Sequence, residues 1–255
     1  MATNAFLAYT MGHCGARWWG LVLHTRKDEV FSLAEPAQHL GCPGWRDWYP
    51  DLIEYRKHFP NSAWHDWTPK RRTDEILALW RQEMTQDYQA VGFLVHADKP
   101  VMDEALQAFC ARYNGRVLQV IRNPLAIVGF RTSKHAEDDL LGFASVVDLY
   151  ARLYRKYLDR CKNWPIIRTE DMNRSVGTDG LYFRRVLEWW TGIEWTDAHW
   201  RFVRDNVLPD GRTYGPQGWD GDPEPGMRWG NMVDWQREVF LGRFSEIMIG
   251  LGYAW

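Results

Sequence analysis

Five stretches of the sequence hold residue types that do chemistry. The first is Gly12-His13-Cys14-Gly15-Ala16-Arg17-Trp18. With a strand before it and a helix after it, the N–H groups of such a loop and the positive end of the helix converge on an anion. It is not a Walker A sequence, because the Gly-Lys-Ser/Thr ending is missing, and with it the usual phosphate lysine and magnesium ligand. The second stretch is His96 followed by Ala97-Asp98-Lys99-Pro100, where an imidazole near neutral pH is a candidate general base. The third, Arg122-Asn123-Pro124, sets a guanidinium 26 residues farther on (122 − 96 = 26). The fourth is Ile167-Arg168-Thr169-Glu170-Asp171-Met172, and the fifth is the tail Arg228-Trp229-Gly230-Asn231-Met232-Val233-Asp234-Trp235. Taken singly, each has a plain structural reading: a turn, a surface histidine, a helix start.

The elements that must position these residues follow from apolar patterning. Short apolar runs at 5–10, 90–95, 116–121 and 164–168 predict buried parallel strands. Helical patterns occupy 18–24, 73–86, 102–113, 140–161, 181–191 and 235–251, and a further helix is expected to open at Pro124. Strand and helix alternate. This predicts an α/β chain built as one domain over residues 1–255, with a central, mostly parallel sheet flanked by helices, a P-loop-like core and its ligand crevice at the carboxyl ends of the strands. The loop of residues 12–18, His96 and Arg122 all fall at that edge. Two stretches interrupt the alternation: an aromatic-rich insertion at about 35–70, and a Gly- and Pro-rich loop at about 208–230. Loops of this length in a compact domain are usually lids or binding loops.

Composition narrows the classes. The 31 basic and 33 acidic residues leave a formal charge of −2, which argues against nucleic-acid binding, since that requires a cationic face. A local basic pocket is compatible with the sequence, because 24 of the basic residues are Arg, the side chain that grips phosphate with two parallel hydrogen bonds. Nucleotide composition of the genome explains the Arg excess equally well. The four cysteines, at 14, 42, 110 and 161, lack CxxC or CxxH spacing, so neither structural zinc nor a disulfide framework is expected, and a reducing cytoplasm fits best. The N-terminal apolar stretch carries Asn4, Gly12, His13 and Gly15 and lacks a basic leader, so no signal peptide or membrane span is expected there.

In order and spacing, the five stretches together resemble the sulfotransferases that use 3'-phosphoadenosine 5'-phosphosulfate. That pattern is a phosphosulfate loop after a strand, a strand ending in a catalytic His, a strand ending in Arg-Asn-Pro, a Tyr-Glu-Asp-Leu/Met strand end and a late Arg-Lys-Gly…Gly-Asp-Trp segment. The resemblance runs from about residue 5 to 253. It implies that Gly12, Cys14, Gly15, Ala16, Arg17 and Trp18 form the donor loop, with Trp18 at the adenine. Arg122 and Arg228, with Trp229 and Gly230, fall at the 3'-phosphate, and His96 becomes the base that takes the acceptor proton. Glu170 and Asp171 match a Glu-Asp pair that supports the nucleotide edge, and Asp234 and Trp235 match the structural ending of the late segment. The donor implied is 3'-phosphoadenosine 5'-phosphosulfate, and the nucleotide product is adenosine 3',5'-bisphosphate.

Departures from the pattern are equally specific. His13 stands where the family carries Lys or Arg, and Ala16 and Arg17 stand where it carries hydroxyl residues. Either Arg17 or His13 is therefore the cation that faces the leaving group. Phe130 replaces the serine eight residues after the Arg, with Ser133 one turn later on the same helical face. Thr169 takes the place of an adenine-contacting Tyr, and Trp229 that of a Lys. The activity implied is sulfuryl transfer to a hydroxyl, an amine being second choice, of a small-molecule or carbohydrate acceptor, with no metal required. Two other classes remain open: a P-loop nucleotide kinase-like phosphotransferase, and a non-catalytic nucleotide- or glycan-binding module on the same fold.

Overall fold

Asn-Ala-Phe-Leu-Ala-Tyr-Thr is apolar at nearly every position, as a strand covered on both faces must be, and β1 (Asn4–Thr10) is buried along six of its seven residues. The computed structural model describes residues 4–11, 14, 16–34, 68–96, 101–135, 140–161, 163–176, 178–206 and 229–253. Within these, β1 leads to α1 (Ala16–His24), β2 (Val30–Ala34), α2 (Pro69–Glu83), β3 (Ala90–His96), α3 (Asp103–Arg112), β4 (Arg116–Ile121), α4 (Pro124–His135), α5 (Leu140–Cys161), β5 (Ile166–Arg168), α6 (Thr169–Val176), α7 (Leu181–Thr191), α8 (Asp197–Asn206) and α9 (Asp234–Leu251).

The strands form one five-stranded sheet in the order β2-β3-β1-β4-β5, and every pairing is parallel. From β1 the chain runs toward β2 on one side, whereas from β4 it runs toward β5 on the other. Adjacent strands β1 and β4 thus send their following segments in opposite directions, and the crevice beyond their carboxyl ends is where open α/β sheets bind ligands.

Large aromatics fix the layers. Trp190 of α7 donates its indole N–H to Leu7 O at 3.0 Å and meets Phe6 edge-on at 4.7 Å. Trp19 of α1 meets both Phe183 (5.0 Å) and Trp190 (5.2 Å) edge-on, so α1, α7 and β1 share one joint. On the other side of β1, Trp80 of α2 donates to Val91 O of β3 at 3.1 Å. Gly92 is required where it stands, because a Cβ there would lie 2.1 Å from the ring of Phe6 on the paired strand.

The expected parallel α/β sheet is present, with three differences in its parts. β2 was not anticipated; Ser32 interrupts the apolar run of its five residues, Val-Phe-Ser-Leu-Ala. Thr169–Met172, expected to end the fourth strand, instead open α6 (Thr169–Val176), and α8 also appears. Helix α2 starts at Pro69 instead of Thr73, because Thr68 caps it by accepting the Arg71 N–H at 3.2 Å and Pro69 fits the first helical turn. Its first residues therefore overlap the end of the expected insertion, whose residues 35–67 lie outside the described residues.

Candidate functional site

The site is built where β1, β3 and β4 end. In register, Thr10 pairs with His96 on one side and with Val120 on the other, so His96 lies one strand spacing from the end of β1. The ladder continues one residue beyond β1, since the Met11 N–H donates to Val120 O at 3.2 Å. The chain then turns: the Cys14 N–H donates to Met11 O at 3.2 Å, and α1 opens at Ala16. A tight turn feeding a helix N-terminus at the carboxyl edge of a parallel sheet is the geometry that collects anions.

Gly12, His13, Gly15 and Arg228 lie outside the described residues, as do Ala97, Asp98, Lys99 and Pro100. Ala16, Arg17 and Trp18 form the first turn of α1, His96 is the last residue of β3, and Phe130 and Ser133 lie in α4; the side chains of these six are outside the description. The structure thus brings the backbones of Met11, Cys14, the start of α1, His96 and the residues after β4 to one edge.

Cys14 is fully buried; its N–H is used within the turn and its carbonyl accepts from Thr169 Oγ1 at 3.1 Å. Burial pushes its thiol well above the ordinary value, with the Arg122 guanidinium pulling it down and the Glu170 carboxylate pushing it up. Arg122 is also fully buried, and its charge acts on Cys14, Glu170 and Tyr154. Ile121, the last residue of β4, and the two residues after it are held by three side chains. Thr169 Oγ1 donates to Ile121 O at 3.0 Å, and the Tyr154 hydroxyl donates to Arg122 O. The Asn123 N–H donates to Glu170 Oε1 at 2.7 Å, while Asn123 Oδ1 accepts the Leu125 N–H at 2.9 Å and so caps α4, with Pro124 at its first position.

Glu170 is the hub of this layer. Besides Asn123 it accepts from the Tyr253 hydroxyl at 3.0 Å, just past the end of α9. Burial raises its pKa above the ordinary glutamate value, an effect opposed by these hydrogen bonds and by Arg122. Tyr253 is raised as well, first by burial and then by the neighbouring Glu170 charge. Arg168 completes the layer, its guanidinium 5.0 Å over the Tyr253 ring while donating to Leu251 O.

The late segment sits on α9. Trp229 and Gly230 belong to a short 3-10 turn, Trp229–Asn231, with Trp229 half-buried against Phe240 at 6.5 Å and Gly230 exposed. Arg237 stacks 5.7 Å over Trp229 and pairs with Asp234 at 3.2 Å, and Trp235 meets Phe143 edge-on at 5.3 Å. Among the residues that support the site, Tyr154 and Tyr253 carried no sequence signal. Tyr154 reads as an ordinary core position of an amphipathic helix, and only the fold brings its hydroxyl to Arg122.

Among the described residues, no group of three or more His, Cys, Asp or Glu is arranged to hold a metal ion, and no helix is long and apolar enough to cross a membrane. No protein-family model matches the chain, and no curated protein matches it in sequence. Solved structures do match. One is the crystal structure of mouse sulfotransferase SULT7A1 complexed with PAP, which covers 97% of this chain and 84% of its own, with a TM-score of 0.50 and 12% identity. At that identity the likeness is one of fold: a parallel α/β sheet flanked by helices, of the sulfotransferase kind.

Proposed function

We propose that this chain transfers a sulfuryl group from 3'-phosphoadenosine 5'-phosphosulfate to a hydroxyl of a small-molecule or carbohydrate acceptor. The observation that carries the reading is the register of Thr10 with His96, which sets a candidate base one strand from the anion-collecting turn, with Arg122 at the end of the strand on the other side. The fold likeness to a sulfotransferase bound to PAP supports it.

In this reading the turn after β1 and the start of α1 receive the 5'-phosphosulfate, Trp18 meets the adenine, and Arg122, Arg228 and Ser133 face the 3'-phosphate. Arg122 lies in the interior, so a phosphate that reaches it is enclosed with it, where a charge-assisted hydrogen bond is strong. The acceptor oxygen forms a bond to sulfur as the bond from sulfur to the bridging oxygen breaks, and the electron pair of that bond stays on the departing bisphosphate. His96 takes the acceptor proton. Negative charge on the bridging oxygen grows toward the transition state, so loop N–H groups and Arg17, in preference to His13, act mainly on turnover. The chain is read here as one domain working in a reducing cytoplasm, with the Cys14 and Cys110 thiols buried in its interior.

A panel of phenols, alcohols and sugars, each incubated with protein and donor carrying a labelled sulfuryl group, tests the reading. The expected result is label on an acceptor with release of adenosine 3',5'-bisphosphate. Consumption of ATP in place of that donor would assign the site to phosphoryl transfer instead.

A further inference from the structure

Thr169 opens α6 at the end of β5 and is 3% exposed, its hydroxyl engaged with the main chain. Its hydroxyl lies between two main-chain carbonyls from different parts of the sheet edge, Cys14 O at 3.1 Å and Ile121 O at 3.0 Å. Cys14 belongs to the turn leaving β1, and Ile121 is the last residue of β4, directly before Arg122. A single O–H shared in this way spans the crevice between β1 and β4. The next residue works in the same direction, because Glu170 holds the Asn123 N–H on the far side of Arg122. Paired Ile121 and Arg168 bring these groups level with the end of β4.

We propose that Thr169 is a positioning residue that fixes the spacing between the two phosphate-holding elements, and thereby sets the preference of this chain for nucleotides phosphorylated at both the 5' and 3' positions over those phosphorylated at 5' alone. The inference rests on the donor reading above. Two anchors at fixed spacing act as a chelate, the second engaging at high effective concentration once the first is bound. When the spacing varies, part of that gain is spent on ordering the anchors at the moment of binding. A hydroxyl that only stabilised the fold would weaken both nucleotides alike and leave their ratio unchanged.

The test is calorimetric titration of adenosine 3',5'-bisphosphate and of adenosine 5'-phosphate into the wild-type chain, Thr169→Val and Thr169→Ser, with the melting temperature of each protein recorded. Valine keeps the shape and removes the donor; serine keeps the donor. The wild type favours the bisphosphate, and Thr169→Val lowers that ratio of dissociation constants by about 5-fold or more, the lower end of ordinary coupling between sites. Thr169→Ser keeps the wild-type ratio. An unchanged ratio in folded Thr169→Val, or a lowered ratio in folded Thr169→Ser, overturns the proposal. Should Thr169→Val not fold, Thr169→Ala, which also removes the donor, takes its place with the same two outcomes. Equal affinity of the wild type for the two nucleotides overturns the donor reading itself, and that failure is distinguishable because it appears without any substitution.

Discussion

A carboxylate held away from water with an arginine and a tyrosine for company gives Glu170 a pH signature of its own. Burial raises its pKa above the ordinary value of 4.5, and the donors Asn123 and Tyr253 and the charge of Arg122 only moderate the rise. Between that ordinary value and the raised one, the folded chain holds this proton more tightly than the unfolded chain does. The contribution of the group to stability is therefore complete below the ordinary value and is lost as pH rises through the raised one. Urea midpoints measured across this range should show the wild type losing stability relative to Glu170→Gln as pH rises; a gap that does not change with pH would contradict the assignment. His96 makes a different prediction, because its imidazole is assigned to the acceptor and not to the nucleotide. His96→Ala should lower turnover by about 10²- to 10⁴-fold, the usual range for a lost general base, while adenosine 3',5'-bisphosphate binds nearly as before. A variant that keeps more than about a tenth of wild-type turnover would give the proton to another group.

The helices meet β1 through indole rings, and those rings decide whether the turn after β1 has a floor. Trp19, three residues into α1, is fully buried and meets Phe183 and Trp190 edge-on, while Trp190 holds Leu7 O. Trp19→Ala should cost about 3–5 kcal/mol, the range for truncating a core aromatic, and thermal melts should show it as a large fall in melting temperature. A melt close to that of the wild type would mean that α1 is anchored elsewhere. The same elements show what the sequence makes legible. Long apolar periods such as that of α5, and the buried runs of β1, β3 and β4, stand out because core burial imposes them along many residues. β2 and α6 do not. Ser32 interrupts the short apolar run of Val30–Ala34, and Thr169-Glu170-Asp171-Met172 turns from strand to helix at Thr169 without a glycine or proline to mark the change. Tryptophan is abundant, at 16 residues, and Trp19, Trp80, Trp190 and Trp195 are fully buried core residues, so there the indoles serve packing.

At the scale of the whole molecule, the strand order makes the site. Because β1 and β4 lie side by side and their following segments diverge, residues far apart in sequence, among them Met11, Cys14, His96 and Ile121–Asn123, reach one sheet edge. Their order along the chain was readable from the sequence. The layer beneath them was not, since the contacts of Thr169, Tyr154 and Tyr253 join residues 155, 32 and 83 positions apart, distances no local pattern encodes. That layer also links the end of α9 to the edge of the sheet, with Tyr253 on Glu170 and Arg168 on Leu251 O. The central claim is that this edge is shaped for a nucleotide carrying phosphate at both ends of its ribose. Titrating the unmodified chain with adenosine 3',5'-bisphosphate and with adenosine 5'-phosphate tests it most directly. A charge-assisted hydrogen bond from Arg122 contributes about 1.5–3 kcal/mol, so the bisphosphate should bind roughly 10- to 150-fold more tightly; equal affinities would contradict the account.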